Sequence, residues 1–491
     1  MTIKILISIF LSGILLAGCR HHDLVEIFPL DKYDQQIANW IKPRDPGYDK
    51  PVMDSLAQQQ RLASFYKHYF GKSSPWNADY VNQIINAPKP DDLESTEKTL
   101  IYIYNNQKKK TSRELGYGEN FVSYPESWIN SITININLTQ FDTLKFDPNN
   151  RAIAIDNLAA RALPTEDPFY YHHKIAGQGF PFDNLQVSAL WAGTPIYILG
   201  QTQDRAWSLV LTPDYIAWVK TIGIARVDSS FVKTWVTSAI KKFTAITQTK
   251  TSIVDIDGVF RFSAYVGSVF PAVENSQQIK IMIPVLDNNQ HAKITYATVA
   301  NENAALVPIA PTPHNFSNLI NTLIGRPYGW GNLYFFNDCS SELKNLFAPF
   351  GIWLPRHSSD QMYVGKLTNL SEETPQHRLQ YLMEKGEPFT TLVYVGGHVL
   401  LFIGNFPNPN SNNHELMPLT FQNMWGLSPK PAKRRAVIGK SVLFPLLESY
   451  PEDPSLISQA NKKTFQITQL DHPSSNLQKL ELIDLKDLMY P

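Results

Sequence analysis

Two side chains, Cys339 and His398, could together break a bond at a carbonyl carbon. A thiolate attacks such a carbon and a thiol barely does, so the cysteine needs help in losing its proton. A helix N-terminus and a neighbouring imidazole are two ways to provide it. Cys339 stands at the start of a predicted helix, after the loop Tyr328-Gly329-Trp330-Gly331-Asn332, whose glycines let the backbone turn and keep the approach to the thiol open. His398 follows Gly396-Gly397 and opens the apolar run Val399-Leu400-Leu401-Phe402-Ile403, a strand that would present the ring to a helix packed on its sheet. The base also needs an orienter for its second ring nitrogen. Gln422, on the next predicted strand before Asn423-Met424-Trp425-Gly426, could serve, whereas His414 follows a polar loop, Asn408 to Asn413, and is a weaker candidate. Taken singly, these are also compatible with an inert buried thiol, a core histidine and an ordinary strand glutamine.

Cysteine usage sharpens the first of these. The chain of 491 residues has 2 cysteines, and the other is Cys19, in the string Leu16-Ala17-Gly18-Cys19. Lys4 and the apolar stretch Ile5 to Leu16 ahead of it read as a signal peptide, too short to span a bilayer comfortably. The LAGC string resembles a bacterial lipobox, which implies cleavage after residue 19's predecessor and lipidation of Cys19. Arg20, where an Asp would signal retention at the inner membrane, favours an outer-membrane lipoprotein facing the periplasm. Cys339 is then left without a disulfide partner in an oxidising compartment. Lysine plus arginine equals aspartate plus glutamate at 44 each, so nothing points to nucleic acid.

The surrounding elements must hold these groups. In a partly helical stretch, residues 20–127, Leu56, Leu62, Phe65, Tyr66, Tyr69 and Phe70 follow helical spacing, with Asp54 as cap. Residues 128–227 read as a small β-barrel, starting with the alternation Ile132 to Leu138 and continuing through Pro195 to Leu199, Trp207 to Leu211 and Ile216 to Ile222. A second barrel spans residues 228–306, and the chemistry-bearing unit spans residues 307–445. That unit has helices at 314–325 and from Cys339, then strands at Thr390 to Val395, His398 to Ile403, Leu419 to Met424 and Arg435 to Phe444. Helix, helix, then antiparallel sheet makes the fold class α+β. Residues 446–491 form a polar, proline-punctuated tail to which no role is assigned.

Five motifs together carry a family resemblance. Arg326-Pro-Tyr-Gly-Trp-Gly331, Asp338-Cys-Ser340, Leu354-Pro-Arg-His-Ser-Ser-Asp-Gln361, Gly397-His398 and Asn423-Met-Trp-Gly426 resemble the NlpC family of cell-wall cysteine peptidases, with their papain-like fold. Arg161-Ala-Leu-Pro-Thr165, Phe182-Asp-Asn-Leu-Gln186 and Leu190-Trp-Ala-Gly-Thr-Pro195 resemble the first of two bacterial SH3-like barrels in its multidomain branch. The resemblance implies Cys339 as nucleophile, His398 as general base and Tyr328 beside the thiol, its hydroxyl helping the Cys339 amide stabilise an oxyanion. It further implies that Asp338, Ser340 and Ser358 line a pocket for an N-terminal L-Ala and D-Glu, with Tyr215 as the barrel's contribution. The implied reaction is hydrolysis of the bond between D-Glu and a diamino acid in murein stem peptides with a free N-terminal L-Ala, by a monomer without metal or cofactor. The third catalytic position, commonly histidine in this branch, is Gln422 here. The alternative is a non-catalytic peptidoglycan-binding lipoprotein. Neither an HExxH pair nor a GxSxG elbow supports a metal or serine hydrolase.

Overall fold

The computed structural model describes residues 24–275, 278–411, 413, 415–472 and 474. The signal peptide with Cys19, His414 and the last 17 residues, 475–491, lie outside them.

Three β-structures divide the chain. A seven-stranded sheet carries the site, in the order Val25–Ile27, Arg435–Pro445, Leu416–Leu427, Val399–Pro407, Thr391–Tyr394, Gln466–Gln469, Lys366–Asn369. Only the first pair is parallel. Its long strands read as apolar runs because helices cover them. Pro313–Leu323 and Cys339–Phe347 supply Phe316, Leu319, Ile320, Leu343, Leu346 and Phe347, which close a core over Leu401, Phe421 and Leu443. Fully burying one such side chain stabilises the fold by about 1.5–3 kcal/mol. The fold is α+β, as the sequence implied.

A second seven-stranded, wholly antiparallel sheet runs from Arg151–Ala154 to Ile224–Arg226, and the third region combines a five-stranded sheet with the hairpin Thr251–Val254/Phe260–Ala264. The helix Ser55–Tyr69 is capped by Asp54, whose carboxylate accepts the Ala57 amide at 2.7 Å.

Three expectations need correction. Residues 132–138 are not a strand: Glu126–Ile136 is a helix, and the first strand of that region begins at Arg151. An Ile at 132, 134 and 136 satisfies a period of two, yet 132 and 136 are also one helical turn apart. Ile129, Ile132 and Ile136 are buried while Ile134 is 67% exposed, which is a helix face. Residues 446–472 are not a tail. Gln466–Gln469 is an interior strand, paired with Thr391–Tyr394 on one side and Lys366–Asn369 on the other, and Tyr450, Leu456, Phe465, Ile467 and Leu470 are core residues. Nor does the front of the chain stand apart, because Val25–Ile27 extends the same sheet and Phe28 and Tyr33 pack on Phe444 and Tyr450.

Candidate active site

Cys339 is the first residue of the helix Cys339–Phe347, as its spacing predicted. The N-cap is Asp338, in a capping box: its carboxylate accepts the Ser341 amide at 3.0 Å while the Ser341 hydroxyl accepts the Asp338 amide at 2.9 Å. This cap forces the helix to start at the nucleophile and leaves first-turn amides without intrahelical partners. The thiol is 7% exposed. Two amides face it, those of Ser340 and of Val399, the residue after His398. The helix packs on the strand that carries Gln422 and on the strand Val399–Pro407, which begins just after His398.

The imidazole, the orienter and a residue the sequence did not disclose form one network. His398 Nε2 lies 2.7 Å from Gln422 Oε1. Which atom carries the proton follows from the hydrogen bonds behind it. The Thr420 hydroxyl donates its only proton to the Phe444 carbonyl at 2.7 Å, so toward Gln422 it can only accept. Gln422 therefore turns its NH2 to Thr420, at 2.9 Å, and its oxygen to the ring. His398 must donate from Nε2, which leaves Nδ1 with the basic lone pair. Gln459 fixes the same amide from the other side, donating to Gln422 Oε1 at 2.7 Å and accepting from Gln422 Nε2 at 3.2 Å. Gln422 and Thr420 have no exposed surface and Gln459 has 3%. Gln459 lies in the supposed tail, where no local motif marks it.

Burial decides the charges. It pushes the Cys339 thiol up to about 12, reinforced by the Asp338 carboxylate, against the Val399 amide, Arg356 and the Ser340 amide. It pushes the His398 imidazole down to about 4, against the opposing Gln422 hydrogen bond, and the Lys462 charge lowers it further. The expectation that the helix start depresses the thiol is thus overridden by desolvation. Both shifts favour the neutral forms, thiol and imidazole, and a neutral imidazole is the state a general base needs.

Tyr328 lines the same cleft as His398, close enough for the Cys339 charge to act on its hydroxyl, and burial holds that hydroxyl protonated. Its ring leans on Trp425, centroids 6.2 Å apart. Asp338 and Ser340 are placed otherwise than expected. Both are buried and bonded to Arg356, whose guanidinium reaches Asp338 Oδ2 at 2.6 Å, Asp338 Oδ1 at 3.2 Å and Ser340 Oγ at 2.8 Å. Burial raises the Asp338 carboxyl, but the Arg356 charge and the hydrogen bonds from Arg356 and Ser341 together outweigh it and hold the group below its ordinary value. Asp338 is therefore a cap and ion-pair partner, and it does not line the cleft as a free carboxylate. Ser358 is half-buried in the turn after Arg356. Tyr215 is also corrected: it is 1% exposed in the barrel core and donates to the Ala189 carbonyl at 3.0 Å, so it makes no wall of the cleft.

The barrel does reach the site, by other residues. Arg356 donates to Ser188 Oγ at 2.8 Å and to the Val187 carbonyl at 3.0 Å, on the strand Gln186–Leu190. Gln186 donates to the Gly331 carbonyl at 3.0 Å. Gly331 has φ 56°, and a Cβ there would fall 2.1 Å from the Gln186 carbonyl oxygen. The backbones touch, so the glycine in the Tyr328–Asn332 loop is required for docking as well as for the turn.

Comparison with solved structures identifies the assembly. The chain superposes on an NlpC/P60 endopeptidase from Photobacterium damselae subsp. piscicida with a TM-score of 0.77 and 30% identity, over 91% of this chain and 99% of that one. The chain belongs to the NlpC/P60 family. Membership makes it a cysteine-peptidase-type hydrolase, and Cys339 is the sole cysteine among the described residues. Residues 168–220 match the SH3 domain family of the SH3b1 type. An NlpC/P60 family protein from Bacillus cereus matches at 13% identity with a TM-score of 0.41, over 63% of this chain and 98% of that one. No curated protein sequence matches the chain.

Proposed function

We propose that this NlpC/P60 protein hydrolyses the bond between D-Glu and a diamino acid in murein stem peptides, with Cys339 as nucleophile and His398 as general base. The observation that carries the assignment of roles is the 2.7 Å contact between His398 Nε2 and Gln422 Oε1, the latter on a strand packed on the helix that starts at Cys339. His398 Nδ1 takes the thiol proton as Sγ attacks the carbonyl carbon. The Cys339 amide and the Tyr328 hydroxyl donate to the oxyanion that forms. His398 then returns the proton to the leaving amine, and water, deprotonated by the same nitrogen, releases the acyl group from sulfur. Gln422 accepts from Nε2 throughout and holds the tautomer without adding a charge.

The preference for an unblocked L-Ala rests on the barrel wall and not on Asp338, whose charge is matched by Arg356. We further propose that the protein is a monomeric lipoprotein held by acyl chains on Cys19 at the outer membrane and facing the periplasm. A Cys19→Ser chain recovered with membranes as the native one is would end that part.

The deciding experiment incubates the purified full-length chain with L-Ala-γ-D-Glu-diaminopimelate and its N-acetylated form, with products read by mass. Cleavage of the free form at the γ-glutamyl bond is the expected result. Equal rates on both would remove the free-amine preference. Cleavage of neither, with Cys339 inert to iodoacetamide, would replace the peptidase with a wall-binding lipoprotein.

A further inference from the structure

The cleft beside His398 has a volume of about 280 Å³, and two cations, Arg435 and Lys462, line it together with Tyr328, Trp330 and Trp425. No acidic side chain lines it among the described residues. Both cations are half-buried, and neither has an ion pair or a side-chain hydrogen bond among the described residues. Three other arginines of the catalytic unit are satisfied. Arg434, adjacent in sequence and facing the other way, pairs with Glu26 at 2.6 Å and with Asp453. Arg356 is paired with Asp338, and Arg378 donates to the carbonyls of Leu370, Ala460 and Lys462.

Two unmatched, partly desolvated like charges in one cleft are an arrangement that folding alone does not favour. Desolvation lowers both groups, and the Arg435 charge lowers Lys462 further, so each cation is near enough to destabilise the other. The barrel loop leaves room for this. Gly177, with φ +76°, lies against the guanidinium, and a Cβ there would fall 2.3 Å from Arg435 Nε. We propose that Arg435 and Lys462 form an anion subsite that takes a carboxylate of the peptide substrate next to the scissile bond. This rests on the peptidase reading above and names the chemistry of its substrate: an acidic peptide bearing a free α-carboxylate within reach of His398. Binding a carboxylate there also cancels the repulsion of Lys462 on the His398 imidazolium, so substrate and base are electrostatically coupled.

The test compares the γ-D-glutamyl diamino-acid peptide, one carboxylate at a time, as acid and as amide, on the full-length native chain and on R435Q/K462Q. For the carboxylate held here, amidation should raise KM of the native chain by roughly ten- to a hundredfold, the worth of a charge-assisted contact. The double variant should show that KM already with the acid, treat acid and amide alike, and melt no lower than the native chain because no native ion pair is lost. Gly177→Ala, which displaces the guanidinium, should move KM in the same direction by less. An unchanged KM for the acid on the double variant overturns the subsite, as does a loss on amidation that multiplies with the loss from R435Q/K462Q. If the native chain cleaves no peptide, the peptidase reading has failed. The subsite then stands or falls on Cys339→Ala, where the acid but not the amide should raise the pH at which the His398 ring titrates by NMR.

Discussion

The two flanks of the nucleophile are built from opposite materials. On one side Asp338, Ser340 and Arg356 make an ionised cluster, buried, with its opposite charges matched and its guanidinium bonded into the first barrel. On the other, His398, Gln422, Gln459 and Thr420 make a chain of neutral groups with no formal charge at all. A buried ion pair tolerates the loss of neither partner, whereas a neutral chain loses order gradually. The charged flank therefore fixes where the helix begins and where the barrel docks, and the neutral flank tunes one nitrogen.

The sharpest way to break this contrast is Arg356→Met. It strands the Asp338 carboxylate in the interior and cuts the bonds to Ser188 and Val187, so a loss of about 3–5 kcal/mol of stability is expected in denaturant unfolding. Arg356→Met with Asp338→Asn should recover part of that loss, because no bare charge remains. If the single variant unfolds at the native denaturant midpoint, the ionised cluster has no structural role. No change of comparable size is expected from any single substitution on the neutral flank.

The position of the charged flank was legible in the sequence but its pairing was not, since Asp338 and Ser340 read as pocket-lining groups, and the neutral flank was only half legible, for a physical reason. Asp338, Cys339, Ser340 and Arg356 sit in short contiguous motifs, because a helix cap and its turn are local structures. His398 and Gln422 could be placed because apolar runs marked their strands. Gln459 and Thr420 act through side-chain bonds to Gln422, from 37 residues away and from two residues away along the same strand. A polar segment such as 446–472 hides its sheet strand because Gln466–Gln469 needs only Ile467 and its neighbours Phe465 and Leu470 for the core. The end of the helix Glu126–Ile136 reads as a strand because three alternating residues do not distinguish the two periods.

Gln422→Ala tests the neutral flank at its centre. Without the acceptor, Nε2 no longer has to carry the proton and Nδ1 is neutral and basic only part of the time. Activity should fall by roughly ten- to a thousandfold in kcat, with KM little changed. Gln422→His, which restores an acceptor at the usual family position, should keep most of the activity. Native kinetics in Gln422→Ala would remove the orienter and with it the meaning of the 2.7 Å contact.

The neutrality of the resting pair has its own signature in pH. With the thiol raised to about 12, the thiolate fraction grows by about tenfold for each pH unit throughout the neutral range, so alkylation of Cys339 by iodoacetamide should climb steadily from pH 6 to 9. A preformed thiolate–imidazolium pair would instead give a plateau. On the acid side, peptide hydrolysis needs His398 unprotonated. Burial lowers its pKa to about 4, so kcat/KM should stay flat as pH falls below 6 and drop only near 4. Lys462→Gln removes a neighbour that lowers this pKa, so the drop should move to higher pH, never lower.

The smallest effect is expected one residue further out. Gln459 stands behind Gln422 at the wall of the cleft and holds it by a donor at 2.7 Å and an acceptor at 3.2 Å. In Gln459→Ala the Thr420 contact still favours the correct amide face, so the loss should be about tenfold or less in kcat, at constant KM and constant thermal midpoint. A merely structural glutamine would shift the midpoint and leave the proton where it was. The readout that separates the two is the nitrogen-15 spectrum of His398: a single Nε2–H tautomer in the native chain, a mixture in Gln459→Ala, and a larger Nδ1–H share in Gln422→Ala. Graded loss in that order is what a neutral chain predicts, and an all-or-none loss at Gln459 would mean that this flank is as brittle as the charged one.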